Sequence, residues 1–262
     1  MFSNVNKSFV FALVSLAAGV FLFKPQDHHP ENALRVALQS GYPPYEFVDS
    51  TGKIVGFDVD LAEIIAEKMG KELVIKDMEF DGEIISLRQG KIDLIISGMS
   101  ITPSRQKEIA MIPYHGAATD YLHLAFWKQI PEGVTSLEDI VKIPSAVVSV
   151  EAGSTSEEFL DRYPQITKKT FSGALEPMMD VKYGKSTANL VQPEVAAYLK
   201  EKHHEIVVLQ VPLPKDAPLL GCGIGVNKQN TKMIQTVEKI VDQLKASGEL
   251  AELEKKWFRG VE

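Results

Sequence analysis

From residue 34 onward, short apolar runs alternate with segments whose apolar residues recur at helical spacing. Residues 34 to 38, Leu-Arg-Val-Ala-Leu, read as a strand. Tyr42-Pro43-Pro44-Tyr45 must be irregular, because two prolines remove backbone donors. A helix opens at Gly56-Phe57-Asp58, with Asp58 as its expected N-cap, and buries Leu61, Ile64, Ile65 and Met69. Gly70 closes it. A strand at 73–75 follows, then a helix that opens at Phe80-Asp81, carries Ile84, Ile85 and Leu87, and ends at Gly90. Ile92 to Ile96 is almost continuously apolar, as in a strand covered on both faces.

The theme then repeats. A short helix at 137–140, capped by Ser136, precedes strands at 146–150, 167–171, 188–191 and 207–211. Helices at 154–162, at 174–181 and after Pro193 lie between them, Pro193 standing near the first helical position. A glycine-spaced strand at 220–226 leads to two final helices, 232–246 and 249–258. Strands alternating with helices predict an α/β fold with largely parallel sheets. Two units of about 90 to 100 residues each are the natural partition. The first ends near 116–120 and the second near 214–218, and periodicity assigns the terminal helices to neither.

The N-terminus is a different object. Lys7 is followed by an apolar run from Ser8 to Phe23, so residues 1–24 read as an export signal, with an N-terminal membrane anchor as the alternative. Residues 25–32, with His28 and His29, read as a linker.

Composition narrows the function classes. With 28 basic and 35 acidic residues the net charge is −7, which disfavours a nucleic-acid surface. One cysteine, Cys222, excludes an intramolecular disulfide and a cysteine-rich zinc site. No nucleophile elbow, His-Glu-x-x-His or phosphate loop is present. Gly221, Gly223 and Gly225 sit within an apolar strand and read as thin backbone for close approach. The histidines are scattered, and neither a metal nor a cofactor is expected.

Binding is better supported. Ser97-Gly98-Met99-Ser100-Ile101-Thr102 follows a buried strand, at the sheet edge where ligands of such folds bind. Arg105 offers a planar fork suited to a carboxylate, and Gly153-Ser154-Thr155 offers free amides at a helix start. Tyr42, Tyr45, Phe80 and Glu46 are candidates for the remaining wall.

Tyr42-Pro43-Pro44-Tyr45-Glu46, Gly56-Phe57-Asp58-Val59-Asp60-Leu61, the segment from Ser97 to Arg105, Gly153-Ser154-Thr155, the glycine-spaced strand and the ending Lys255-Lys256-Trp257-Phe258 together resemble the polar amino acid-binding proteins of ABC importers. The resemblance spans residues 34 to 258 and, at 104–110, 182–186 and 220–223, is nearest to arginine-binding members. It implies a two-lobed clamshell with two crossover strands, the second lobe inserted in the first: 33–118 with 215–262, and 119–214.

Several roles follow from the resemblance. Arg105 is expected to hold the ligand's α-carboxylate. Ser97, Gly98, Met99 and Ser100, with Ser154 and Thr155 opposite, are expected around the α-amino acid head. Tyr42 and Phe80 are expected to sandwich its side chain. The family's α-ammonium aspartate aligns on Pro193, leaving Gln192 or Glu194 as substitutes. The acid that meets a distal cation aligns on Gln39, leaving Glu46, Glu151 and Asp81. The expected ligand is a free basic amino acid, arginine above lysine. It would be delivered to a permease at the inner membrane by a monomeric receptor in the periplasm, with membrane association or exposure at the cell surface as the alternatives. A periplasmic cyclohexadienyl or prephenate dehydratase on the same fold is the alternative.

Overall fold

Strands and helices alternate along the chain in the computed structural model, which describes residues 32–215 and 218–258. The expected export segment, His28 and His29, and the linker up to residue 31 lie outside the described residues. Among those described, no helix is long and apolar enough to cross a membrane.

The chain begins with β1 (Ala33–Leu38), a hairpin of β2 (Phe47–Val48) and β3 (Ile54–Val55), α1 (Phe57–Lys68), β4 (Glu72–Asp77), α2 (Phe80–Arg88), β5 (Leu94–Ile95), α3 (Pro103–Glu108) and β6 (Ala110–His115). It continues with β7 (Tyr121–Trp127), a 3₁₀ turn at Glu138–Lys142, β8 (Val147–Glu151), α4 (Thr155–Leu160), β9 (Thr167–Phe171), α5 (Glu176–Lys182), β10 (Ala188–Val191), α6 (Pro193–Lys202) and β11 (Ile206–Pro212). β12 (Cys222–Val226), α7 (Thr231–Ser247) and α8 (Glu249–Trp257) complete it.

Two mixed five-stranded sheets result, ordered β4-β1-β5-β12-β6 and β11-β7-β10-β8-β9. In the first, β1 is parallel to β4 and β5, while β12 runs antiparallel to β5 and β6. In the second, β8 is parallel to β9 and β10, while β7 runs antiparallel to β10 and β11. The chain passes between sheets twice, from β6 to β7 and from β11 to β12. There Thr119 and Leu219 exchange backbone hydrogen bonds of 2.8 and 3.0 Å, tying the two passages together.

The first core gathers Leu34, Val36, Phe57, Leu61, Ile65, Leu94, Ile224 and Val226. Val237, Val241 and Leu244 of α7 and Leu250 of α8 join it, so the terminal helices cover the first sheet. Each such fully buried side chain stabilises by roughly 1.5–3 kcal/mol. The second sheet has its own core around Leu122, Leu124, Phe126, Val148, Val150 and Leu190. Gly223 is the thin backbone expected of its strand: an added Cβ would stand 2.6 Å from Ile101 Cγ1.

The structure corrects two local expectations. Asp58 does not cap α1; Gly56 is the N-cap, and the Asp58 carboxylate instead accepts from Gly98 N at 2.6 Å and Tyr114 Oη at 2.8 Å. Ser136 does not cap the 3₁₀ turn either; its N–H and hydroxyl both donate to Asp139. Four strands escape the pattern reading, β2 and β3 because two residues each are too few to carry a period. Pro113 interrupts β6, which tolerates it as the edge of its sheet, and β7, apolar apart from His123, shows no clear period.

Candidate functional site

β1 and β5 in one sheet, and β8 and β10 in the other, all run into the loops that line one cleft. Its walls include Gln39, Tyr42, Glu46, Phe80, Ser97 and Gly98 from the first lobe. Glu151, Ser154, Ser156, Asn189, Gln192 and Val195 come from the second.

A tight turn builds the aromatic wall. Tyr42 N donates to Glu46 O at 2.8 Å and Glu46 N returns to Tyr42 O at 3.1 Å, which places Tyr42 and Glu46 side by side. Tyr42 stacks on Tyr45 with centroids 5.2 Å apart. Gly98 lets the ring lie down on its loop: its φ is +52°, and a Cβ there would stand 2.4 Å from Tyr42 Cε1. Phe80 opens α2, and the Arg105 guanidinium covers its ring at 5.2 Å. Tyr42 and Phe80 both line the cleft.

Polar contacts join the lobes. Gln39 Nε2 donates to Glu151 Oε1 at 2.8 Å, and Gln39 Oε1 accepts from Phe80 N. Gln192, just before α6, accepts from Tyr42 Oη at 3.1 Å and donates to Ser100 Oγ at 3.0 Å and Thr155 Oγ1 at 2.7 Å. Ser104 Oγ donates to Glu158 at 2.9 Å. Arg105 is buried and spans the gap as well: Nη1 donates to Ser100 O at 2.8 Å and Nη2 to Gly153 O at 3.0 Å. At this approach Gly153 has no room for a side chain, since a Cβ would lie 2.9 Å from Asp81 Cα.

The cleft is acidic. Its lining includes Glu46 and Glu151 and no lysine, arginine or histidine. Burial pushes the Glu151 carboxyl up to about 7, with the Gln39 hydrogen bond and the Arg105 charge pulling the other way. Glu46 is fully buried and lies well above the usual carboxylate range, from burial first and then the charge of Asp58. Its Oε2 has no hydrogen-bond partner. Glu83, also fully buried, is raised by the same desolvation. Such a site favours a ligand that brings positive charge and hydrogen-bond donors.

Of the residues expected from the sequence, Tyr42, Glu46, Phe80, Ser97, Gly98, Glu151, Ser154 and Gln192 line this cleft. Ser100 and Thr155 meet it through Gln192. Arg105, Met99 and Asp81 line an adjoining recess that shares Phe80. Asp81 is exposed there, and Met99 packs in a small core with Ala37 and Leu87. Gln39, Ser156, Asn189 and Val195 line the cleft without having been singled out as binding residues. Asn189 had a signal: it is the one polar residue within the apolar run 188–191.

Residues 34–260 match the family model described as bacterial extracellular solute-binding proteins, family 3. The chain belongs to that family. It is 38% identical over 224 residues, 85% of this chain and 84% of the other, to the probable ABC transporter arginine-binding protein ArtJ of Chlamydia trachomatis. Among solved structures it is similar to the P235GK mutant of ArgBP from T. maritima, with TM-score 0.77, 34% identity and coverage of 87% of this chain and 95% of that one. An ancestral arginine-binding protein bound to arginine matches with TM-score 0.75 and 30% identity over 88% of this chain and 100% of its own. A structure of an ancestral arginine-binding protein bound to glutamine matches with TM-score 0.74 and 32% identity over 88% and 99%. The family sets the architecture as bilobed and the chain's task as capturing a solute rather than transforming it. The mixed sheets and the cleft at their strand ends are those of a solute-binding clamshell.

Proposed function

We propose that this protein captures free L-arginine outside the cytoplasm and delivers it to an ABC permease at the inner membrane. The observation that carries the ligand class is the cleft's lining: two aromatic rings, two glutamates and no basic side chain. A guanidinium is flat, cationic and apolar on its faces. Tyr42 and Phe80 enclose it, cation–π attraction adding about 0.5–2 kcal/mol. Glu46 from the first lobe and Glu151 from the second receive its edge, so the ligand's charge draws the lobes together.

The head group is held where the lobes already meet. The ligand's α-carboxylate takes the Arg105 fork, exchanging a carbonyl partner for a charged, bidentate one. The Gln192 amide oxygen, which accepts from Tyr42, serves the α-ammonium in place of the aspartate that Pro193 replaces. Relatives named as arginine-binding support this reading, and the arginine- and glutamine-bound ancestral structures make glutamine the competitor to test.

Displacement of labelled arginine tests it. Unlabelled arginine should displace best, lysine more weakly, and glutamine and glutamate only far above the arginine concentration. Equal displacement by glutamine or glutamate would remove the cationic pocket from the account.

A further inference from the structure

The second-lobe strand β10 carries a polar side chain whose acceptor end nothing in the fold accounts for. Asn189 is 1% exposed and lines the cleft. Its amide orientation is fixed by its neighbours: Nδ2 donates to Ser149 O at 3.0 Å and lies 3.3 Å from Leu190 O. Turning the amide would set its oxygen against two carbonyls, so the oxygen must be the end left over. That Oδ1 is buried and without a partner. A buried acceptor with nothing to accept from is costly, and a fold keeps one where something else supplies the donor.

Two more unpartnered atoms belong to residues of the same cleft lining, Glu46 Oε2 and Ser156 Oγ. Glu46 stands on the first lobe, Ser156 in the first turn of α4, and Asn189 on β10. Asn189 Oδ1 is a pure acceptor, the Ser156 hydroxyl can act as one, and the Glu46 carboxyl becomes one when a cation draws off its proton. No cationic side chain lines the cleft to satisfy them. The donors must arrive with the ligand.

We infer that Asn189 Oδ1, seconded by Ser156 Oγ, forms a second-lobe acceptor subsite for the ligand's guanidinium, and that this subsite sets the preference for arginine over lysine. The inference rests on the arginine reading above and extends it to discrimination among cations. A guanidinium spreads five N–H groups over three nitrogens in a rigid fork. One edge can meet Glu46 in the first lobe while another meets Asn189 in the second. A lysine ammonium gathers its three donors on one nitrogen and cannot serve acceptors on both walls together. Both cations gain from the glutamates, whereas only the fork gains from Asn189 as well.

The test uses the full mature protein, stripped of ligand by unfolding and refolding, and calorimetric titration with L-arginine and L-lysine at pH 8. Asn189→Ala should weaken arginine about tenfold or more, the size of a hydrogen bond to a charged group, and lysine less than about threefold. The arginine-to-lysine affinity ratio should fall accordingly. Ser156→Ala should lower the same ratio by a smaller factor. Thermal unfolding of each variant without ligand separates this from a loss of fold, since damage to β10 weakens both ligands alike. Should Asn189→Ala not fold, Asn189→Ser, which keeps a small polar group, carries the same comparison. An unchanged ratio, or equal losses for both ligands, overturns the subsite. A wild-type protein that binds no arginine overturns the functional reading itself. A wild type that prefers arginine, with an Asn189 variant that prefers it equally, overturns only this inference.

Discussion

Glu151 should make arginine capture depend on pH in a window where the ligand's guanidinium and α-carboxyl do not titrate. Its carboxyl is pushed up to about 7 by burial, while arginine's guanidinium stays charged above pH 12 and its α-carboxyl loses its proton below pH 4. If a cation binds only beside the ionised form, the competent fraction is about 0.9 at pH 8 and about 0.1 at pH 6. Affinity for arginine should therefore fall about tenfold between pH 8 and pH 6, or about 1.4 kcal/mol. At pH 7 Glu151 should give up roughly half a proton for each arginine bound. Titration calorimetry in two buffers of different ionisation enthalpy reads both quantities. Glu151→Gln mimics the protonated acid. It should bind more weakly than wild type at pH 8, approach it at pH 6, and release about half a proton less than wild type at pH 7. No histidine lines the cleft to imitate the effect. A wild-type affinity that is flat from pH 6 to 8, or a glutamine variant with the same slope as wild type, would refute the reasoning.

Other expectations follow from the same geometry. Arg105→Ala should cost arginine binding roughly 2–5 kcal/mol by titration, and Arg105→Lys much of that, because the fork that spans Ser100 and Gly153 is lost. Gly153→Ala should weaken arginine at least about tenfold by holding the Asp81 backbone away and obstructing closure, with a φ of +72° adding about 1 kcal/mol of strain. Stability without ligand should fall as pH rises from about 4.5 through 7. The folded protein holds protons on Glu46, Glu83 and Glu151 that the unfolded chain has already released, and Glu151 alone contributes about 3 kcal/mol. Thermal unfolding at pH 5 and pH 8 checks it, the higher midpoint being expected at pH 5. Asp93, Asp139 and Asp180, whose pKa values are lowered by their hydrogen bonds and charges, titrate below this window and do not mask it.

The elements most legible in the sequence are those with a period and an end signal. α7 buries Val237, Ile240, Val241 and Leu244 on one face and ends at Gly248 in a left-handed cap. α6 starts at Pro193 because a first-turn proline loses no hydrogen bond. β6 and β7 are less legible, since an edge proline in one and a lone polar residue, His123, in the otherwise apolar other leave no clear period.

The site divides in the same way. Tyr42, Glu46, Ser97 and Ser154 lie in short turns whose geometry follows from neighbouring residues, and the loop sequence exposes them. The Asp58 carboxylate shows why caps are harder: its partners, Gly98 and Tyr114, are far along the chain. Arg105 is legible as a buried fork, but its bonds to carbonyls on both lobes depend on how closely the sheets approach. Asn189 is legible as a polar residue in an apolar strand; which end of its amide is left over follows only from the carbonyl of Ser149 in the neighbouring strand.

The most direct test of the central claim is calorimetric titration of the ligand-stripped protein with all twenty amino acids at pH 8. Arginine should bind tightest, lysine next, and glutamine and glutamate far more weakly, because an acidic cleft walled by Tyr42 and Phe80 rewards a flat cation. Glutamine or glutamate binding as tightly as arginine would contradict the account.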